Sequence, residues 1–255
     1  MTGNVFRRTV DELRHWFRSD WTFDQVAAHW DATEDYDEQN SKTVSYFRRF
    51  VDGLRLANLV DDGRVLDICA RTGNGTLYFA QHGKIRSGVC AEVSQKFHQI
   101  GQQRLREAGV RNVEWIQLKD YKLPFEHNEF DTILCFETVE HFSEPERLVA
   151  ELSRVIKPGG VMILTTPNVL WEPIHAICAI TGLHHSEGPH RFVRYARLIE
   201  MINGSGFKID KSETNVLVPG GPKLLIKVGD WIEAHTKNWL MPVIGLRRTI
   251  VCTKR

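Results

Sequence analysis

From Arg64 onward, short apolar runs alternate with amphipathic segments, and this alternation restricts the possible folds more than any other feature of the chain. The runs RVLDIC, IRSGVCAEV, VEWIQL, FDTILCF and VMILTT have strand character. Between them, TLYFAQ, SQKFHQIGQQRLREAG and a segment from about Pro145 to Ile156 carry helical spacing. Strands separated by helices with right-handed crossovers give a parallel sheet covered on both faces, so the expected class is α/β and doubly wound. The PGG at Pro158 to Gly160 predicts a turn ahead of VMILTT. A helix from about Tyr195 to Asn203, a strand from Phe207, a helix around Leu224 to Trp239 and a last strand, RRTIVCTKR, complete the pattern.

A length of 255 residues suits one domain with an elaboration. Residues 1 to 62 predict an N-terminal helical cap, with Trp16, Trp21 and Trp30 read as core and with Val44, Phe47, Val51, Leu54 and Leu56 near helical spacing. Residues 63 to 255 form the α/β domain. After Thr166 the alternation breaks at PNVLWEPIHAICAITGLHHSEGPH, which is too long for an ordinary connection, and the segment at about 168 to 190 reads as a lid inserted after the fifth strand.

Thirty-three Lys plus Arg balance 32 Asp plus Glu, leaving a net charge of +1 and no global field to recruit nucleic acid or an anionic membrane. The basic residues are scattered rather than interleaved with aromatics, so no nucleic-acid partner is expected. Five cysteines without a CxxC pair argue against a disulfide framework or a structural zinc. With no apolar signal-like run at the N-terminus and no membrane span, a cytoplasmic protein is expected, peripheral to a membrane at most.

In a doubly wound sheet, ligands bind beyond the carboxyl ends of the strands at the switch point. The first such turn is VLDICARTGNGTLYFA, where Gly73 and Gly75 let the backbone approach a ligand and Thr72 and Thr76 offer hydroxyls. A dinucleotide fingerprint would place its third glycine at Tyr78, which weakens a nicotinamide reading. Three acids stand at successive strand ends: Asp67 after the first, Glu92 after the second and Asp120, beside Tyr121, after the third. A carboxylate at Glu92 can accept from both ribose hydroxyls, and Asp120 with Tyr121 can frame a base. Together they suit a positively charged adenosyl ligand.

These residues, with KDYKLPFEHNEFDTILCFETVEHF, LVAELSRVIKPGGVMILTTPN, PHRF and SGF, resemble the class I S-adenosylmethionine-dependent methyltransferases over about residues 60 to 210. The resemblance implies a Rossmann-like sheet of seven mostly parallel strands, the last antiparallel, and S-adenosyl-L-methionine as cofactor. It assigns Asp67 to the methionine end, and Ala70, Thr72, Gly73 and Gly75 to the loop. Glu92 falls to the ribose and Asp120 with Tyr121 to the adenine, and Val93 and Phe136 complete the cofactor-binding set. Two residues depart from the pattern: Ala70 replaces the usual glycine, and Arg71 a small or polar residue.

ETVEH followed by TTPN is similar to the ubiquinone-biosynthesis O-methyltransferases and related small-molecule enzymes. Methyl transfer to the oxygen of a small acceptor is therefore expected, with nitrogen as the alternative. The apolar lid residues Val169, Leu170, Trp171, Ile174, Ile177 and Ile180, and Leu224, Leu225, Ile226, Trp231, Ile232, Trp239 and Leu240 further on, point to a lipid-like acceptor or to contact with a membrane surface. His141 and His190 are the candidate bases.

Glu137, Glu140 and His141, with His190 later, also resemble the ExxEH ion site of the small-RNA terminal 2'-O-methyltransferases, and on a helix the first three would share one face. The metal-free reading is preferred, and His175, His184 and His185 read as ordinary residues of a polar loop. Two other classes compete: a catalytically silent module on this fold, and a nicotinamide-dependent oxidoreductase.

Overall fold

The computed structural model describes residues 2–18, 20–237 and 239–255, with the side chains of residues 2–4 and 16 outside the described set. The expectation for the Trp16 side chain therefore lies outside the described residues. Four helices come first: α1 (Thr2–Phe17), α2 (Phe23–Ala32), α3 (Tyr36–Ser41) and α4 (Val44–Leu56). The α/β region follows as β1 (Gly63–Ile68), α5 (Asn74–Gln81), β2 (Ile85–Glu92), α6 (Gln95–Glu107), β3 (Val113–Gln117) and β4 (Phe130–Phe136). It continues with α7 (Pro145–Val155), β5 (Ile156–Pro167), α8 (Glu172–Thr181), α9 (Tyr195–Gly204) and β6 (Phe207–Asn215). The chain closes with α10 (Lys223–Thr236), α11 (Met241–Ile244) and β7 (Arg247–Lys254).

The seven strands form one sheet in the order β3-β2-β1-β4-β5-β7-β6. The first five strands run parallel, and β7 inserts antiparallel between β5 and β6. The order reverses between β1 and β4, which opens the ligand crevice at their carboxyl ends. Register places Asp67 beside Cys90 on β2 and Leu134 on β4, so the ends of these strands share one rim. The interior strands are apolar on both faces, as a covered parallel sheet requires: Leu66, Ile68, Ile133, Leu134, Ile163 and Leu164 are all fully buried.

Two expectations change. The PGG turn does not precede the fifth strand but lies within it: Phe130 pairs with Ile156 and Thr132 with Val161, so residues 157–160 loop out of the ladder, with Gly159 at φ +76°. On α4, the stripe Val44, Phe47 and Val51 faces outward, while Tyr46, Arg49, Phe50, Gly53 and Leu56 are buried. An apolar count misjudges this helix because its inner face carries Arg49 and Asp52. Gly53 lets α4 lie directly on the sheet, since an added Cβ would fall 3.0 Å from Ile163 and 3.2 Å from Phe136.

The segment read as a lid contains a short 3₁₀ turn at Val169–Trp171 and then α8, which packs against α1. Leu170, Ile174 and Ile177 stay exposed there. Among the described residues, no helix is long and apolar enough to cross a membrane.

Candidate active site

The loop after β1 takes left-handed backbone at alternate residues, Cys69 (φ 54°), Arg71 (φ 52°) and Gly73 (φ 77°). Such a loop favours glycine at all three positions. Gly75 then lets α5 begin close to the first acid, because a Cβ there would meet Asp67 Oδ2 at 3.3 Å. Asp67 accepts a hydrogen bond from Thr76 Oγ1 at 2.6 Å, and burial pushes its carboxyl up to about 7.

Glu92 is fully buried at the end of β2. Its Oε2 accepts from the Arg71 backbone N–H at 2.7 Å and its Oε1 from the Ser94 N–H at 2.9 Å. A carboxylate has about four lone-pair sites, so about two remain. Burial raises the Glu92 carboxyl, and the neighbouring Arg71 guanidinium and the backbone donors oppose that rise.

Arg71 is the residue that shapes this crevice. Its guanidinium lies 4.0 Å from Glu92 Oε1, 3.5 Å from the Glu137 carbonyl and 4.4 Å from the centre of the Trp30 ring. It therefore spans from the end of β2 to the end of β4, and its Nη1 has no hydrogen-bond partner among the described residues. The sequence marked Arg71 as a departure but gave no sign that the side chain would turn inward.

The N-terminal helices cover the site. Trp21 donates from Nε1 to the His141 carbonyl at 2.6 Å, and Trp30 is buried as expected. Asp37 of α3 accepts from Thr72 Oγ1 at 2.7 Å and Asn74 Nδ2 at 2.9 Å, and its Oδ2 lies 2.7 Å from Arg104. Beside them, Val93, Tyr121, His141 and Phe142 line a cavity of about 10 Å³ under Trp21, Phe23 and Val26, room for a single water at most. A surface cavity of about 710 Å³ borders α6 and the start of β3.

The other candidates divide. Thr72, Gly73, Gly75 and Val93 sit at the crevice. Ala70 packs away from it, into a small cluster with Cys90 and Leu105. Phe136 turns into the core, its ring 5.2 Å from Phe50 and 5.9 Å from Phe79. Asp120 is exposed, its nearest donor the Lys122 N–H at 3.4 Å, while Tyr121 packs edge-on against Phe23 at 5.0 Å.

Glu137, Glu140 and His141 do not share a face, because β4 ends in a single 3₁₀ turn rather than a helix. Glu137 pairs with Arg247 at 2.9 Å, Glu140 accepts from Thr166 Oγ1 at 3.0 Å, and His141 Nε2 lies 4.0 Å from Glu187. Arg247 holds the Glu137 carboxyl below its usual range, whereas burial and the charge of Glu137 hold that of Glu140 well above. His141 and His190 are both buried, with ring centres 6.3 Å apart, and burial pushes both imidazoles down, so they stay neutral.

Seven strands in this order, an antiparallel β7, a left-handed loop after β1 and a buried acid ending β2 make up the class I methyltransferase fold. Residues 66–164 match the family model described as a methyltransferase domain. The chain is 28% identical over 158 residues to the ubiquinone/menaquinone biosynthesis C-methyltransferase UbiE of Psychromonas ingrahamii, covering 60% of each chain. It is 33% identical over 114 residues to UbiE of Yersinia enterocolitica, covering 44% of this chain and 45% of that one. The chain thus spans about half the length of the curated relatives it matches. Among solved structures, Haemonchus contortus phosphoethanolamine N-methyltransferase 2, in complex with S-adenosyl-L-methionine, superposes with a TM-score of 0.64 at 16% identity, over 90% of this chain and 60% of that one.

Proposed function

We propose that the chain transfers a methyl group from S-adenosylmethionine to a small apolar acceptor. The observation that carries this reading is Glu92, buried where a ribose would lie and with lone pairs left for two vicinal hydroxyls. Asp67, across the glycine loop, suits the cationic end of the same ligand, and Tyr121 with Val93 suits its base. These residues fit S-adenosylmethionine in charge and placement, and Arg71 is the one that must swing aside to admit it.

When bound, that cofactor supplies a methyl group already activated on a sulfonium. The chain's own residues then orient the acceptor and exclude water, tasks that suit the aromatic cover of Trp21, Phe23 and Trp30. Burial and the lowered pKa of both imidazoles support His141 and His190 as the groups that take a proton from the acceptor. We take residues 1–62 as the cap and 168–190 as the segment that governs acceptor access.

The relatives' names favour carbon as the acceptor atom over the oxygen expected from sequence, and a quinol ring with an apolar tail is the class that agrees with them. Exposed Leu170, Ile177 and Leu183 near α8, with Leu224 and Trp231 on α10, support an acceptor met at a membrane surface by a cytoplasmic, peripheral protein. The test is incubation with methyl-labelled S-adenosylmethionine and a prenylated quinol, a phenol or an amine, followed by mass spectrometry. Label on the quinol ring carbon is expected. Tight cofactor binding with no transfer to any acceptor would support the silent module instead.

A further inference from the structure

The loop between α8 and α9 collects histidines that look unrelated in the sequence. His184, His185 and Glu187 each bring a ligand atom within 4.8 Å of the other two. The Glu187 carboxylate also faces His175 Nδ1 at 3.7 Å and His141 Nε2 at 4.0 Å, and among the described residues both of its ion-pair neighbours are histidines. Among the described residues, no lysine or arginine neutralises it at that range.

The hydrogen bonds fix the tautomers. His141 Nδ1 lies 3.2 Å from the Pro189 carbonyl, His184 Nδ1 3.2 Å from the His185 carbonyl and His185 Nδ1 3.1 Å from the Ser186 carbonyl. A carbonyl only accepts, so each Nδ1 carries the proton and each Nε2 keeps a lone pair. A backbone carbonyl on one ring nitrogen is the arrangement that orients histidine ligands of metals. Between His141 and Glu187, therefore, a lone pair and a carboxylate face each other at a distance too long for a hydrogen bond. Two ligands on a tetrahedral ion with bonds of about 2.1 Å stand about 3.4 Å apart, so a small inward movement would let one cation satisfy both.

We propose that Glu187, His184 and His185, with His141 at their edge, form a binding site for a divalent transition-metal ion. Two neutral imidazoles and one carboxylate suit zinc or a similar borderline ion rather than magnesium or calcium, which prefer oxygen. A three-residue set leaves a coordination position open. His185 Nε2 accepts from the Asn40 side-chain amide at 3.2 Å and gives up that bond on metal binding. The loop is already braced: His29 Nε2 donates to the Ser186 carbonyl at 3.0 Å, and Ser186 Oγ accepts from the Gly188 N–H at 3.1 Å. Glu137 and Glu140 of the ExxEH segment take no part in this set, which shares only His141 with it.

The test uses the full chain without an affinity tag, stripped with a chelator and then titrated with zinc chloride by calorimetry and with cobalt(II) by visible absorption. One equivalent is expected, with the absorption of a tetrahedral or five-coordinate cobalt site. Glu187→Gln and the double variant His184→Ala, His185→Ala should each weaken zinc binding about 10- to 100-fold. His82→Ala, at the exposed C-terminal end of α5, should leave it unchanged. Circular dichroism identifies folded variants, and the single variant His184→Ala, in a half-exposed side chain, serves where the others unfold. Absence of saturable binding to the parent protein, or unchanged binding in folded Glu187→Gln or His184→Ala, would overturn the proposal.

Discussion

Arg71 meets Glu92 twice: its backbone N–H donates to Oε2 at 2.7 Å, and its guanidinium returns to within 4.0 Å of Oε1. One acid thus holds both the turn of the loop and the charge of the side chain that fills the crevice. Glu92→Ala leaves that guanidinium buried without its partner and should cost about 3 to 5 kcal/mol of stability. Glu92→Gln keeps the shape and should cost less, yet still weaken S-adenosylmethionine binding by about 1 to 3 kcal/mol. Urea denaturation and calorimetry measure the two effects separately; equal affinity in folded Glu92→Gln would remove the ribose assignment.

Arg71→Gly should tighten cofactor binding. The change relieves a left-handed backbone and removes a cation from the crevice of a cationic ligand. Two unit charges about 4 Å apart interact by about 4 kcal/mol at an effective dielectric of about 20, and a realised gain of about 1 to 2 kcal/mol allows for relaxation. Calorimetric affinity that stayed equal or fell would show that Arg71 helps to hold the ligand.

The raised carboxyl of Asp67 makes stability depend on pH in a defined direction. Unfolded, the group titrates near 4; folded, burial pushes it up to about 7. The folded state therefore binds the proton more tightly, so the contribution is complete below about 4 and is lost as pH rises to about 7. The full span is about 4 kcal/mol at most. In Asp67→Asn this slope should vanish, and denaturation midpoints recorded between pH 4 and 8 will show whether it does.

Glu137 and Arg247 make a buried pair at 2.9 Å, with Arg247 also donating to the Ser45 carbonyl. Arg247→Ala should cost about 3 to 5 kcal/mol by leaving Glu137 unpaired. The double variant Glu137→Leu, Arg247→Met should recover most of that loss, and a double-mutant cycle reads the coupling directly. Additive losses would mean that the two residues act independently.

The parallel sheet was legible because each strand is an apolar run bounded by polar turns, a pattern that local sequence carries by itself. The shared rim of Asp67 and Glu92 was legible for a related reason: each closes an apolar strand run. The packing of the Ala70 and Phe136 side chains was not legible, because a strand-end position does not say which face the side chain takes. The constellation around Glu187 was hidden for a different reason. His141 lies 46 residues before Glu187 in the sequence, and only the return of the loop across α2 brings them together. Asp37 was missed because a lone acid on a short helix has no pattern of its own.

Asp37 joins α3 to Thr72 and Asn74 at the loop after β1 and to Arg104 on α6. A covering segment held at one point by three partners does not peel away gradually, since the partners lose the same carboxylate together. Entry of a ligand then waits on one cooperative unlatching event, and in stopped-flow experiments the observed rate should level off as ligand concentration rises. An Asp37→Asn protein would reach that plateau at a higher rate, with the gate rather than the encounter setting the pace in the parent chain.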